Sequence, residues 1–221
     1  MFPAWGEAVY CLVATLGFDI DFVARRLSRE PRPSRVALVG LRVDESGWGR
    51  VRKAFGLLQV FCESVGAECV LDEVRPETAV KEMAGILERE ARGGCSELEL
   101  YLTGGPRIAV AAAILAAITG LVGVKAAIVV EGEAFEARLE IPVEPLRRLL
   151  SLPEVERRIV VEAVNPVRPK DIQEKLKISK PASYRKLRSL AEAGFLRRPE
   201  NVEEEVYVTT DEFRKLLKLF S

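Results

Sequence analysis

Five apolar runs separated by helical periodicity limit the fold of this chain more than anything else in it. The runs cover residues 8–16, 35–43, 68–74, 97–103 and 125–131, with helical patterns at 19–28, 46–65, 76–92 and 106–118 between them. A near-continuous apolar strand needs cover on both faces, and a strand–helix–strand order supplies it by parallel pairing with helical crossovers. The expected fold class is therefore α/β, with a Rossmann-like, mostly parallel sheet. Residues 135–143 alternate instead, after a turn at 131–134, which predicts a hairpin that adds an antiparallel strand at one edge.

Such a sheet binds ligands beyond the carboxyl ends of its strands, where the topology changes direction. Two loops are placed to serve there. Thr15-Leu16-Gly17-Phe18-Asp19 leaves the first strand: Gly17 admits a ligand close to the backbone, Thr15 carries a hydroxyl, Phe18 a stacking surface, and Asp19 a cap for the next helix. A lone glycine here is not the GxGxxG of a dinucleotide fingerprint. Thr103-Gly104-Gly105-Pro106-Arg107 leaves the fourth strand. Its glycines permit positive φ, Pro106 suits a first helical position, and the free N–H groups beside the Arg107 guanidinium favour an anion. Arg42, Asp44 and Ser46, after the second strand, are marked by position alone.

The C-terminal part has a different rhythm. Residues 154–165 carry Val155, Ile159, Val160 and Ala163 at helical spacing until Pro166, and residues 168–177 carry Ile172 and Leu176. A third helix follows, with Ser179 as N-cap and Pro181 in its first turn. Leu187, Leu190 and Ala191 form its buried side, so Arg185, Lys186, Arg188 and Ser189 point away from it. That phase suits a recognition helix in a major groove. After Gly194, residues 195–196 and 205–209 read as a wing with Arg197 and Arg198 beside it, and Asp211 caps a last helix. The expected DNA-contacting set is Arg168, Lys170, Ser179, Lys180, Pro181, Ser183, Arg185, Lys186, Arg188, Ser189, Arg197 and Arg198. Together these predict a winged helix-turn-helix at 153–221, after a connecting segment at 144–152 and a ligand domain at 1–143.

Charge is distributed accordingly. The chain balances 33 cations against 33 anions, which argues against nonspecific coating of nucleic acid, yet residues 168–198 hold 10 cations and 3 anions. The run Glu203-Glu204-Glu205 opposes phosphate at a wing tip; it either faces away from DNA or meets a protein partner. No apolar span reaches 18 residues and no basic leader is evident, so a soluble, cytoplasmic protein is expected. Cys11, Cys62, Cys69 and Cys95 form no CxxC pair and histidine is absent, so neither a zinc site nor a histidine-based triad is expected. The cysteines are expected as buried thiols of a reduced cytosolic protein. Two Gln and two Asn against 30% charged residues resembles a thermophile's composition.

The TLGFD loop, the TGGPR loop with an Ala-rich helix behind it, and a C-terminal winged helix, in this order, resemble the archaeal CRISPR-associated CARF-domain transcription regulators of the Csa type. The resemblance covers nearly the whole chain. It implies a homodimer that senses a cyclic oligoadenylate, cyclic tetra-adenylate, across paired CARF domains. It also implies binding of double-stranded promoter DNA that controls CRISPR-associated genes or spacer acquisition in antiviral defence. Carried onto this chain, the ligand residues are Thr15, Leu16, Gly17, Phe18, Thr103, Gly104, Gly105, Pro106 and Arg107, with Arg42 added by position. A two-fold ring suits two copies of one pocket edge across a dimer axis. The helix at 106–118, with Ile108, Ala112, Leu115 and Ala116, is the candidate packing surface. No cofactor and no catalytic residue are expected. Two rival readings are a slow ring nuclease, using Arg107 and Thr15, and a regulator of the same fold for another nucleotide or metabolite.

Overall fold

The computed structural model describes residues 9–120, 124–132, 137–200 and 204–220. The predicted turn at 131–134, the start of the strand after it at Phe135, the first strand's start at Ala8, and Glu203 lie outside these residues in whole or part. The chain divides into two units, Met1–Glu144 and Pro145–Ser221.

In the first unit the order is β1 (Tyr10–Leu16), α1 (Asp21–Leu27), β2 (Arg35–Leu41), α2 (Glu45–Val65), β3 (Glu68–Val74), α3 (Ala79–Arg92), β4 (Glu97–Tyr101), α4 (Arg107–Thr119), β5 (Lys125–Glu131) and β6 (Arg138–Pro142). The sheet runs β3-β2-β1-β4-β5-β6, with every pairing parallel except the antiparallel β5–β6. The expected α/β fold and its antiparallel edge are thus present. The chain builds outward from β1 to β3, crosses back through α3, and builds outward again from β4. The switch in direction lies between β1 and β4.

Each face has its own core. Val13, Val39, Leu98 and Leu100 pack with Met83 and Leu87 of α3 and Ala113 and Ala117 of α4. Leu12, Leu38 and Tyr101 pack with Val23 and Leu27 of α1 and Trp48, Val51 and Leu58 of α2. Small alanines let α4 lie close to the sheet, which is why its buried side is Ala109, Ala112, Ala113, Ala116 and Ala117. The edge strand β3 is covered less fully and alternates in exposure over most of its length.

Polar groups are buried in the second of these faces. Arg26, only 3% exposed, donates from Nε to Glu99 at 2.7 Å and from Nη2 at 3.1 Å, and Tyr10 donates to the same carboxylate. Burial, and then Glu99, pushes the Tyr10 hydroxyl well above its ordinary pKa, so it stays a donor. Glu131 collects Arg29 at 2.8 Å, Tyr101 at 2.9 Å and Arg138 at 3.1 Å. These bonds tie α1 to β4 and β5.

All four cysteines are paired, as Cys11–Cys95 and Cys62–Cys69, against the expectation of free thiols. Pairing of β1 with β4, Tyr10 opposite Glu97, brings Cys11 beside the turn that holds Cys95, 84 residues away in sequence. Cys62 in the last turn of α2 meets Cys69 in β3. Among the described residues no helix is long and apolar enough to cross a membrane.

The second unit contains α6 (Glu154–Glu162), α7 (Pro169–Leu176), α8 (Lys180–Glu192), β7 (Leu196–Arg197), β8 (Val208–Thr209) and α9 (Asp211–Leu217). Its core joins Ile159, Val160, Ile172, Leu187, Leu190, Phe195, Val208, Phe213 and Leu216, all buried. A bridge between Val167 and Tyr207 extends the β7–β8 pair. The segment read as a connector is helix α5 (Val143–Ser151), and its Arg148 belongs to the second unit. That guanidinium donates to the Ala193 carbonyl and lies 4.8 Å from the Phe195 ring and 5.1 Å from Phe213.

Candidate functional site

Because β1 and β4 are neighbours, the loops that leave them meet. A β-carbon on Gly17 would stand 3.3 Å from the Gly105 α-carbon, and one on Gly105 would stand 2.9 Å from the Thr15 carbonyl carbon. Gly105 also has a φ of +85°, a left-handed conformation that side chains resist. The two loops therefore form one backbone-lined edge, and it lies at the switch point.

Within that edge the predicted residues do different things. The Thr15 hydroxyl, 2% exposed, donates to the Gly104 carbonyl, so it clasps the two loops together and is not offered to a ligand as expected. Leu16 is 1% exposed and packs in the core, so its side chain is not a contact either. Thr103 accepts the Glu131 N–H at 3.0 Å. Burial pushes the neighbouring Tyr101 hydroxyl up to about 12, opposed by Thr103 and assisted by Glu131. Gly104 packs against Phe22. Asp19 accepts the Asp21 N–H at 2.9 Å from just outside α1, whose N-cap position is Ile20.

Pro106 occupies the N-cap position of α4, one residue earlier than expected, and Arg107 begins the helix. The first N–H groups of any helix lack intrahelical partners. At α4 no side chain caps them and no acidic residue stands in the first turn. Exposed Arg107 has no hydrogen bond or ion pair among the described residues. The dipole, the N–H groups and the guanidinium all favour an anion at this point.

Arg42 does not join this set. It donates to Glu73 at 3.0 Å and to Glu45, so two carboxylates already neutralise it, and Glu73 and then Glu45 raise its pKa. Asp44 caps α2 by accepting the Gly47 N–H at 2.7 Å, with Ser46 in the following turn. Sequence reasoning missed Arg50, whose guanidinium carbon lies 3.7 Å from the centroid of the Phe18 ring. Nothing in the spacing of positions 18 and 50 announces that contact.

Ala112 and Ala116 are 3% and 0% exposed against the sheet, so they do not form an outward packing surface. The outward face of α4 carries Ile108 and Leu115, each 50% exposed, with Ala111 between them. Cys11, Glu90 and Cys95 offer ligand-type atoms within 4.8 Å of one another. The two sulfurs are bonded to each other, and Glu90 already holds Arg89 and Arg35.

In the second unit, α8 starts as expected: Ser179 accepts the Ala182 N–H at 3.4 Å. The turn before it uses Lys177 at a φ of 52°. Arg185, Arg188 and Ser189 are exposed on α8, as are Ser179, Lys180, Pro181 and an unanticipated Tyr184. Two assignments on this helix fail. Ser183 is fully buried and donates to the Lys180 carbonyl at 2.9 Å, because it lies on the same side as Leu187 and Leu190. Lys186 is committed to Glu156 of α6 at 2.8 Å.

Arg168 is engaged too: at the start of α7 its backbone N–H donates to Asp171 at 2.8 Å and its guanidinium at 3.2 Å. That Arg168 side chain, with its backbone N–H, holds the Asp171 carboxyl below its usual range. Lys170 lies 3.8 Å from Glu174 on an exposed surface, and Arg197 and Arg198 are exposed beside the hairpin. Of the acidic run, Glu204 lies 3.9 Å from Arg168 and Glu205 accepts from the Tyr207 hydroxyl at 2.8 Å.

Residues 10–142 match the family model described as the Csa3 CRISPR-associated Rossmann-like domain. No curated protein matches the chain.

Proposed function

Since this chain belongs to the Csa3 CRISPR-associated Rossmann-like domain family, we propose that its first unit senses a cyclic oligoadenylate and its second unit binds operator DNA. The observation that carries the sensing half is the joined glycine edge at the β1–β4 switch point, beside which the α4 terminus is uncapped and Arg107 unpaired among the described residues. Backbone approach and a concentrated anion preference suit a phosphodiester ring. Cyclic tetra-adenylate is the proposed effector, because its two-fold symmetry suits two copies of the edge. The exposed Ile108–Ala111–Leu115 stripe supports a homodimer that sets those copies face to face. Each Arg107 neutralises part of the ring's charge, and backbone N–H groups carry the rest. The reading is of a binder: the Thr15 hydroxyl, which ring cleavage would call upon, is occupied by Gly104.

The second unit fits a winged helix-turn-helix. Helices α6, α7 and α8 surround one core, and the Val167–Tyr207 bridge beside β7–β8 gives the small sheet from which a wing extends. With Ser183 and Lys186 engaged elsewhere, the proposed groove face narrows to Lys180, Arg185, Arg188 and Ser189. Arg197 and Arg198 serve as phosphate contacts. The link α5 is helical rather than a Gly/Ser tether, which suits coupling of about 1–3 kcal/mol between effector and operator.

Titration of the whole chain with cyclic tetra-adenylate and with operator DNA tests the two halves separately. Arg107→Ala removes a charge-assisted contact of about 1.5–3 kcal/mol and is expected to weaken the ring at least tenfold while effector-free DNA affinity holds. Arg185→Ala is expected to weaken operator binding by about 1–3 kcal/mol in a sequence-dependent way, with ring affinity unchanged. A uniform loss on all DNA sequences would assign Arg185 to phosphate. A thermal-shift panel of cyclic and linear nucleotides separates this effector from others, because a ligand of the native state raises the melting temperature.

A further inference from the structure

Phe18 and Arg50 are paired in a way that the folding of this unit does not call for. The preceding residue pair places Leu16 at 1% exposure, whereas Phe18 keeps 53% of its surface in solvent. A large aromatic ring half in water, beside a glycine edge, is poor packing but a good stacking surface. The Arg50 guanidinium carbon sits 3.7 Å from its centroid. Unlike Arg42 nearby in sequence, which two carboxylates hold, Arg50 has no carboxylate partner among the described residues. A guanidinium over a ring face is attracted to it and so holds the ring in one orientation.

We propose that Phe18 and Arg50 form a stacking subsite for one nucleobase of the ligand. The proposal rests on the ligand-site reading above and adds a recognition element to it: Gly17, Gly105 and Arg107 address the phosphodiester, while the ring addresses the base. Specificity for adenine over a pyrimidine then comes from stacked area, since stacking itself tolerates every base.

The test is calorimetric titration of the full chain with cyclic tetra-adenylate and cyclic tetra-uridylate, in parent, Phe18→Leu, Phe18→Trp, Arg50→Ala and Arg107→Ala proteins. Phe18→Leu keeps an apolar side chain and removes the π-face; it is expected to weaken the adenylate ring roughly tenfold or more and the uridylate ring less. Phe18→Trp is expected to retain affinity, and Arg50→Ala to lose several-fold. Adenine absorbance should fall when the ring binds the parent and fall less with Phe18→Leu, a signature that a purely structural role would not move. Parent-like adenylate affinity in both Phe18→Leu and Arg50→Ala, or equal losses for the two rings, would overturn the stacking subsite. A tenfold loss with Arg107→Ala would then still leave the ligand site standing. Failure of the parent to bind either ring would overturn both.

Discussion

The double variant Cys11→Ala/Cys95→Ala is expected to lose about 4.5 kcal/mol of stability in the first unit by loop-closure entropy, because the bond closes an 84-residue loop. That corresponds to a fall of roughly 10–20 °C in melting temperature for a domain of this size. The same relation gives about 2.5 kcal/mol for Cys62–Cys69, whose residues are 7 apart. The two variants should therefore rank in that order. Calorimetry with and without reductant checks the assignment, together with thiol titration of the native protein. Four reactive thiols under native, reductant-free conditions, or a double variant that melts with its parent, would remove the cross-link from the account. The paired state also bears on the environment in which this chain works, since disulfides persist in oxidising compartments and in the intracellular proteins of hyperthermophiles.

Glu99→Ala is expected to cost about 3–5 kcal/mol, because it leaves the buried Arg26 guanidinium without its carboxylate. Among the described residues Arg26 would keep only the backbone carbonyls of Arg29 and Pro31, at 3.2–3.3 Å, and the Tyr10 hydroxyl. Replacing both partners by apolar residues of similar size, as in Arg26→Met/Glu99→Leu, is expected to recover most of that loss or to exceed the parent. Denaturant melts of both single variants and the double variant give the coupling directly. Additive losses in the double variant would show that the pair does not act as a unit. The pair hangs α1 from β4, and α1 begins where the Thr15–Asp19 loop ends. Glu99→Ala is therefore also expected to weaken ring binding, through the loop rather than through contact.

Much of the first unit was legible from local pattern. Strands β1, β2 and β4 are buried on both faces, so they stand out as apolar runs, and β6 stands out because it alternates. Helix boundaries shifted by up to three residues, as at the start of α3 and the end of α6, and by one where the cap moved to Pro106. The glycine edge was legible as two separate loops, because turn chemistry is written in adjacent residues: Gly105 needs its positive φ wherever β4 lies. That the loops meet was not written there. It follows from β1 and β4 being neighbours, which in turn depends on the crossover through α3.

The misassignments share a cause. Thr15, Ser183, Lys186 and Arg168 carry donors or charge that local pattern leaves free for a ligand or DNA, and Arg42 stands out by position alone. Each has a partner in the folded chain that its own surroundings in sequence did not identify as such: Gly104 for Thr15, Glu73 for Arg42, Glu156 for Lys186. Ser183 shows the complementary error, since polarity was read as exposure although helical phase puts it under Leu187.

The order of elements, their approximate extent and the residues of both glycine loops were settled by periodicity and turn preference, which act over a few residues. Which donors stay free for a ligand, which cysteines join, and that Arg50 reaches Phe18 were settled only by tertiary contact. Hydrogen bonds, ion pairs and disulfides are short-range in space and indifferent to distance along the chain, so the pairing of strands had to bring the partners together before any of them could be named.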